Sequence, residues 1–389
     1  MHRRIVSYRP RRRGPVRGAA PDRPIIGDGP RHSWNAGLCR IWSCPGLNPS
    51  PSPAPTPALR IFRGLPPPAL RRPCALAIGN FDGVHRGHQA ILARVRQVAQ
   101  ERGLVPTVMT FEPHPREFFA ELHKRPELAP TRIAGLRDEL CALARYGMQH
   151  VVVEKFNERL ASMPAQEFID RLLIDGLRVK WLLVGDDFRF GAHRTGDIAL
   201  LRANAERHGF EVESMDSVTD HGQRISSSAI RTALAVGDLE RAAELLGHPY
   251  SVSGHVIHGQ KLGRTLGFPT LNLRVSRRCP ALSGIFVVQV HGLAPGPLPG
   301  VASLGVRPTV DDSGRVLLEV HVFDFSGDAY GKLVQVEFLK KLRDEEKFVD
   351  LPTLKAAIED DARQARAYFA SSHLGQADLA TSATDRISS

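Results

Sequence analysis

Two different alternations of apolar and polar residues follow one another along the chain. Between residues 74 and 247, short apolar runs alternate with longer amphipathic stretches, which indicates β-strands and helices in turn. This pattern predicts an α/β domain over residues 73–247, with a mostly parallel sheet and its ligand site beyond the carboxyl ends of the strands. The predicted strands cover residues 74–79, 105–111, 150–156, 180–188 and 210–218. The predicted helices cover residues 89–102, 131–146, 164–177, 198–208 and, in two pieces, 227–246.

After residue 247 the apolar positions alternate at the period of strands, and Gly and Pro separate the runs. Strands are predicted at residues 251–257, 284–291, 317–325 and 333–339, and one helix at residues 351–370. We therefore expect a second domain over residues 248–372, a small antiparallel β-barrel with a C-terminal helix. Residues 373–389 look like a polar tail.

Residues 1–72 show neither period and are rich in Arg and Pro, so we expect a disordered extension. An organelle transit peptide and an arm for an anionic partner are alternatives. We favour a start codon assigned too far upstream, since residues 60–65 look like a natural beginning. Residues 1–59 carry ten Arg and two Asp, or +8 of the net +11, which leaves +3 (11 − 8) for the remainder. Because the excess lies in one tail, the net charge says nothing about a nucleic-acid groove on the folded part.

The cysteines indicate neither a disulfide framework nor a zinc site, because they form no CxxC pair and accompany no histidine cluster. Free thiols are expected. The sequence contains no apolar run long enough to span a membrane and no secretory signal pattern. We therefore expect a soluble, cytoplasmic protein that binds neither nucleic acid nor membranes; the sequence does not indicate its oligomeric state.

A glycine-rich turn between a predicted strand and a predicted helix carries the first candidate chemistry. Residues 78–89 read IGNFDGVHRGHQ, where the glycines allow close approach of the main chain and the helix start directs free N–H groups towards an anion. His85 and His88 lie beside that anion, where imidazoles can donate hydrogen bonds to charge that develops in phosphoryl transfer. The alternative is an ordinary glycine-rich turn with two exposed histidines. No GxxxxGK[ST] pattern occurs, which disfavours a P-loop enzyme.

Three later segments can line the same cleft. FEPHP at residues 111–115 and GDDFRFG at residues 185–191 each end a predicted strand. RISSSAIR at residues 224–231 begins a predicted helix, and its two flanking arginines can bind a triphosphate or pyrophosphate. The serines between them have an alternative interpretation as a helix cap.

These segments, with RTGD at residues 194–197, resemble in order and spacing the FAD synthetase half of the bacterial bifunctional riboflavin kinase/FAD synthetase family. The resemblance implies a Rossmann-like nucleotidyltransferase domain of the HxGH superfamily, which joins AMP from ATP to FMN and releases pyrophosphate. Ser228 departs from the usual Thr but keeps a hydroxyl. The implied ATP- and phosphate-binding residues are Gly79, Phe81, Asp82, Gly83, His85, Gly87, His88, His114, Asp187, Arg224, Ser227, Ser228 and Arg231.

The second domain contains another glycine-rich segment, GQKLGRTLGFPTLN at residues 259–272. Gly263 and Gly267 allow the loop to wrap a phosphate chain, and Thr270 and Asn272 offer oxygen ligands suited to Mg²⁺. In LLEVHVFDF, Glu319 lies on the opposite face to the apolar residues of its strand. From the pattern alone, Glu319 is either a general base facing a ligand or the polar half of an amphipathic strand.

The second domain resembles riboflavin kinase over nearly its full length, through residues 254–273, GVRPT at 305–309, LLEVHVFDF and residues 330–348. The resemblance implies that Thr270 and Asn272 meet Mg-ATP and that Glu319 is the base for the ribityl 5′-hydroxyl. Ser303 and Phe286 depart from the usual Asn and Tyr, and we expect changes in flavin affinity at most. Together the two resemblances imply an enzyme that converts riboflavin to FMN and then FMN to FAD, with ATP and Mg²⁺. A protein with only one live activity is the principal alternative.

Overall fold

The computed structural model describes residues 58–220, 222–259, 263, 266–275, 280–306 and 316–384, with side chains up to residue 371. These residues belong to one unit that spans residues 38–389. Several predictions lie outside the described residues: the extension over residues 1–57, most of the loop at 260–265, residues 307–309 of GVRPT, and three of the five cysteines.

The first domain is built on a six-stranded sheet in the order β1-β4-β3-β2-β5-β6, with every pairing parallel. Alternate residues of the central strand β2 enter two different apolar cores, Leu76 on one face and Ala75 and Ala77 on the other. Helices therefore cover both faces, as predicted. The strands are β1 Arg60–Arg63, β2 Cys74–Ile78, β3 Val105–Glu112, β4 His150–Lys155, β5 Val179–Gly185 and β6 Glu211–Met215.

The helices of this domain match the predicted ones, apart from α2 and α4, which were not predicted, and α3, which begins at residue 136 and not at 131. The helix after Pro164 is α-helical for three residues and then continues as a π-helix, Phe168–Gly176. A two-stranded ribbon, β7 Thr219–Asp220 and β8 Gln223–Arg224, precedes α7. The helices are α1 Arg86–Arg102, α2 Pro115–Leu122, α3 Leu136–Arg145, α4 Glu158–Ala161, α5 Ala165–Glu167, α6 Ile198–His208, α7 Ser227–Val236 and α8 Leu239–Leu246.

The strand β1 lies within residues 1–72, which were predicted to be a disordered extension. Its residues pair in parallel with β4, and Phe62 is buried with its ring 5.1 Å from that of His150. Residues 60–72 are therefore part of the first domain, and the prediction that they are disordered is wrong. A strand of four residues is too short to show an alternation of apolar and polar positions in the sequence. Its order comes from main-chain hydrogen bonds to a strand far along the chain.

The second domain is a closed barrel of six strands in the order β10-β13-β12-β11-β14-β9, with every pairing antiparallel. The two strands that were not predicted are β10 and β12. The final helix, α9 Leu351–Thr384, continues past residue 370. The strands are β9 Ser251–Ile257, β10 Leu271–Arg274, β11 Gly284–His291, β12 Leu298–Val306, β13 Val316–Val322 and β14 Leu333–Arg343.

The barrel does not pack separately from the first domain. Its interior residues, such as Leu318 and Phe338, form one apolar cluster with Ile230 of α7, Leu245 of α8 and Ile133 of the segment before α3. A hydrogen bond of 3.2 Å from the Ser253 amide to the Asp138 carboxylate adds to this interface. The two domains therefore share a continuous core.

Two further predictions concern the free thiols and the absence of a membrane-spanning segment. Cys74 is a buried free thiol, and burial raises its pKa to about 12. Cys141 is disulfide-bonded, so the expectation of free thiols is wrong for this residue. In the part of the chain that the structure describes, no helix combines the length and the apolar character needed to cross a membrane.

Candidate active sites

The segment from Gly79 to His88, which we call the histidine loop, connects β2 to α1 at the carboxyl edge of the sheet. The strand order reverses here, since β3 and β4 lie on one side of β2 and β5 lies on the other. In α/β sheets such a switch point forms the ligand crevice. His85 is the N-cap of α1, and its Nδ1 accepts a hydrogen bond of 3.3 Å from the His88 amide. The loop therefore lies where the sequence pattern predicted.

The two histidines are stacked and electrically neutral. Their ring centroids are 3.7 Å apart with an interplanar angle of 16°, and the ring of Phe81 lies 5.0 Å from that of His88. Burial, and then the nearby charge of Arg231, lowers the pKa of His85 to about 4. Burial, and then proximity to His85, holds the pKa of His88 well below its usual value. Because Nδ1 of neutral His85 accepts a bond, its proton lies on Nε2, which is left to donate.

The Asp82 carboxylate is surrounded by hydrogen-bond donors of the protein itself. Its carboxylate, 2% exposed, accepts hydrogen bonds from the amides of Ile133 and Ala134 at 3.1 and 2.9 Å, and from Arg231 Nη2 at 2.7 Å. Ser227 Oγ contacts its carbonyl oxygen at 3.4 Å. Asp82 is thus held by protein donors and fixes the position of the loop, and its predicted place in the ATP- and phosphate-binding group stays a prediction.

The start of α7 lies against the start of α1. A Cβ atom on Gly87 would lie 3.2 Å from the His85 ring and 3.6 Å from the carbonyl oxygen of Ile225, so the two helix starts are in van der Waals contact here. Ser226 caps α7 through a 3.2 Å hydrogen bond from the Ala229 amide. The cap is thus the first serine of the cluster, whereas Ser227 and exposed Ser228 follow it in the first turn. Two helix N-termini therefore point into one crevice, an arrangement that attracts anions.

The two predicted arginines differ in their surroundings. Arg231 is largely buried and donates to the Thr131 carbonyl at 2.7 Å and to Asp82, so it is already bound by protein groups. Arg224 is exposed and pairs with Asp187 at 3.1 Å, which brings together two residues that sequence analysis placed in separate segments. An exposed ion pair contributes little stability, so Arg224 can turn towards an anion at small cost.

His114 begins α2 and is tied into a capping box. Its Nδ1 accepts from the Arg116 amide at 3.1 Å, and its own amide donates to Glu117 at 2.9 Å. Arg132 pairs with Glu117 at 2.6 Å and with Glu112 at 3.1 Å. Pro at N1 and Glu at N3 were available as a helix signal but were missed.

An aromatic cluster beside this crevice was also missed. Three aromatic rings lie 5.4–5.9 Å from a central ring, that of Phe156, which follows β4. One of them, Phe119, is 40% exposed. Aromatic faces of this kind bind flat ligands by stacking. The cluster consists of Phe111, Phe118, Phe119 and Phe156. Its members are separated by 45 residues in sequence (156 − 111), so no local pattern reveals them.

The second site lies on the outer face of the barrel. Asn272 is 5% exposed, and among the described residues its Oδ1 has no hydrogen-bond partner. The main chain at Gly259 lies directly against the Asn272 amide, and a Cβ on Gly263 would lie 3.3 Å from Thr270 Oγ1. The main chain at Gly259 and Gly263 therefore lies close to Asn272 and Thr270, and the wrapping of a phosphate chain by this segment stays a prediction. Gly267 has a φ of 90°, a conformation that favours glycine.

Glu319 is placed beside these residues by strand register. It pairs with Asn272 of β10 on one side and with Ser303 of β12 on the other. Ser303 Oγ donates to Glu345 at 3.2 Å, so the substituted position lies within this group. Phe286, in contrast, is fully buried inside the barrel with its ring 5.3 Å from that of Phe338. The expected effect of Phe286 on flavin affinity therefore loses its structural basis.

Comparisons with known proteins agree with both domains. A family model for FAD synthetase matches residues 68–229, and one for riboflavin kinase matches residues 246–369. The bifunctional riboflavin kinase/FMN adenylyltransferase of Escherichia coli (strain K12) is 47% identical over 296 residues, which is 76% of this chain and 93% of the relative. The Pseudomonas fluorescens enzyme of the same name is 48% identical over 301 residues, 77% and 94% of the two chains.

The chain belongs to the bifunctional riboflavin kinase/FMN adenylyltransferase family. The predicted family, the two-domain fold and the two transferase activities are confirmed. A crystal structure described as a macrolide-efflux protein from Streptococcus pneumoniae also aligns, with a TM-score of 0.62, 29% identity, and coverage of 79% of this chain and 98% of that one. This similarity supports the arrangement of both domains in one chain.

Proposed function

We propose that the histidine loop is the adenylyl-transfer site and that the Thr270–Asn272–Glu319 group is the phosphorylation site. The observation that supports the first assignment best is the stacked pair of neutral histidines at the start of α1, directed into the crevice that α7 also faces. A neutral imidazole donates a hydrogen bond without a fixed positive charge, so it stabilises charge as it develops in the transition state.

In the first domain, a phosphate oxygen of FMN attacks the α-phosphorus of ATP, and pyrophosphate leaves. His85 donates from Nε2, and His88 and the first turn of α7 with Ser227 and Ser228 bind the phosphate oxygens. Arg224 leaves its exposed pair with Asp187 to bind the departing pyrophosphate, which offers more charge than one carboxylate. Asp82 and Arg231 keep these groups in position.

The FMN ring system needs a flat apolar surface near this crevice. The aromatic cluster around Phe156 follows β3 and β4 at the same edge of the sheet and includes the partly exposed ring of Phe119. We assign the isoalloxazine ring to this cluster. The cluster does not touch the reacting phosphates, so its loss should raise the KM for FMN more than it lowers kcat.

In the second domain, Glu319 removes the proton from the ribityl 5′-hydroxyl of riboflavin while that oxygen attacks the terminal phosphorus of ATP. The buried, unpartnered Oδ1 of Asn272 and the adjacent Thr270 hydroxyl are hard oxygen ligands that fit Mg²⁺. Bound there, Mg²⁺ would neutralise charge on the phosphates of ATP. The described residues include no cluster of three His, Cys, Asp or Glu side chains able to hold a metal, which suits an ion that relies on substrate oxygens. Dependence on ATP is consistent with action in the cytoplasm.

The test is to incubate the purified protein with riboflavin, ATP and Mg²⁺ and to separate the flavins by chromatography. We expect FMN and then FAD, and FAD alone when FMN replaces riboflavin. Omission of Mg²⁺ should stop phosphorylation. Accumulation of FMN without FAD, even with added FMN, would contradict the first assignment and favour a protein with one live activity.

A further inference from the structure

Residues 131–134, which we call the bridging segment, lie between the barrel and the histidine loop. On the barrel side, the Ala281 amide donates to the Arg132 carbonyl at 3.3 Å, and Pro280 forms an isolated parallel bridge with Arg132. Pro280 and Ala281 precede β11 of the barrel. One edge of the bridging segment is thus held by the main chain of the riboflavin kinase domain.

The other edge is held by the histidine loop and α7. The amides of Ile133 and Ala134 donate to the Asp82 carboxylate, which lies three residues before His85. Arg231 closes the network, since it donates from Nε to the Thr131 carbonyl and from Nη2 to Asp82, both at 2.7 Å. Hydrogen bonds therefore connect the barrel to the histidine loop through a single four-residue segment.

Packing adds a second connection of the same kind. Ile133 is 2% exposed and belongs to the core that fills the barrel. A Cβ on Gly83, whose φ is 81°, would lie 2.7 Å from Cγ2 of Ile133, so the loop main chain lies directly on this side chain. The next residue, Val84, has a φ of 40°. A β-branched residue in this region is strained and persists only where its surroundings hold it.

We propose that the bridging segment is a positioning element, through which the riboflavin kinase barrel holds the histidine loop in the geometry that adenylyl transfer requires. Adenylyl transfer then depends on the barrel even when FMN is supplied from solution. The inference rests on the proposed roles of His85 and His88. Because the segment touches no substrate, its loss lowers kcat through misplaced donors and leaves the KM for ATP and FMN nearly unchanged.

The first test changes only a main-chain donor in the barrel. Ala281→Pro removes the N–H that binds Arg132, whereas the matched control Ala281→Gly keeps it. We expect Ala281→Pro to lower kcat for FAD formation from added FMN by about tenfold or more, with KM values within about threefold. Riboflavin phosphorylation should stay within about twofold for both variants, since Ala281 lies outside the proposed phosphorylation site. Unchanged FAD formation in Ala281→Pro, or equal loss of both activities, would overturn the proposal.

The second test applies if Ala281→Pro does not fold. Ile133→Ala and Leu245→Ala remove the same number of carbon atoms from the shared core, but only Ile133 contacts the histidine loop. Both should lower the unfolding temperature, and below that temperature only Ile133→Ala should lower kcat for adenylyl transfer. A similar kcat in the two variants would overturn the proposal. The histidine roles fail separately if His88→Ala retains full adenylyl transfer.

Discussion

The two sites of this chain differ in which of their polar groups the protein holds in hydrogen bonds. In the histidine loop, the Asp82 carboxylate is enclosed by protein donors, and the two imidazoles are held by a cap and by stacking. In the barrel, the Asn272 oxygen is buried without a partner among the described residues. The histidine loop therefore holds Asp82 and the imidazoles in a preorganised arrangement, although among the described residues Asn80 Oδ1 and His88 Nδ1 are buried without a hydrogen-bond partner. The barrel leaves the Asn272 oxygen in the same condition, available to a ligand. Preorganised donors suit stabilisation of a transition state, and an available hard oxygen suits a metal ion brought by ATP.

The largest effect should come from Glu319→Gln, which removes the proposed base and preserves shape. We expect riboflavin phosphorylation to fall by about 10²- to 10⁴-fold. FAD formation from added FMN should remain, because Glu319 lies on the barrel far in sequence from the histidine loop. The control is Glu337→Gln, another half-buried glutamate of the barrel. Steady-state assay of each reaction measures both effects, and equal losses in the two reactions would show that the sites are not separable.

His88→Ala should produce the reverse pattern. Loss of one preorganised donor should lower adenylyl transfer by about 10²-fold or more, while phosphorylation of riboflavin is retained. His208→Ala, at the end of α6, serves as the control. Retained FAD synthesis in His88→Ala would remove the stacked pair from the mechanism and reduce it to a structural feature of the loop.

Asn272→Ala tests the available oxygen directly. Truncation removes packing but also an unsatisfied buried group, so we expect the free energy of unfolding without ligands to change by only about 1 kcal/mol. Addition of Mg²⁺ and ATP should raise the unfolding temperature of the wild type more than that of the variant. An equal rise in the two proteins, measured by thermal unfolding, would exclude Asn272 as a ligand of the complex.

The last prediction concerns Glu139, which lies behind the histidine loop and whose effect depends on pH. Burial raises its pKa from 4.5 to about 7, and the hydrogen bond of 3.0 Å from Thr110 opposes this rise. Between these values the folded state binds more protons than the unfolded chain, so stability falls as pH rises from 4.5 to 7. Glu139→Gln should therefore increase the free energy of unfolding by roughly 1–3 kcal/mol at pH 8 and give no increase near pH 4.5.

Unfolding in denaturant at the two pH values measures this difference. Glu101→Gln, on the exposed part of α1, is the control for removal of a charge. A pH-independent effect of Glu139→Gln would show that folding does not shift the pKa of this carboxyl, so that it is ionised at neutral pH in the folded protein. The preorganised first site would then contain a further buried charge.

The elements that sequence analysis located correctly are specified by residues that are neighbours in the sequence. β2 and α1 flank a turn whose glycines and histidines are contiguous, so strand, turn and helix were all visible within residues 74–102. Two of the elements that were missed, β1 and β10, have four residues each, and their order comes from pairing with strands far along the chain. The aromatic cluster around Phe156 was missed for the same reason.

By itself, the sequence determined the two domain types, the histidine loop, the glycine-rich loop of the barrel and the face on which Glu319 lies. These follow from periods of two or 3.6 residues and from motifs, which are properties of neighbouring residues. Only the tertiary structure decided that Asp82 is enclosed by protein donors, that Ser226 is the cap, and that Phe286 lies inside the barrel. It also revealed the bridging segment. Burial, register and pairing between distant segments depend on how the chain packs as a whole, and no local pattern encodes them.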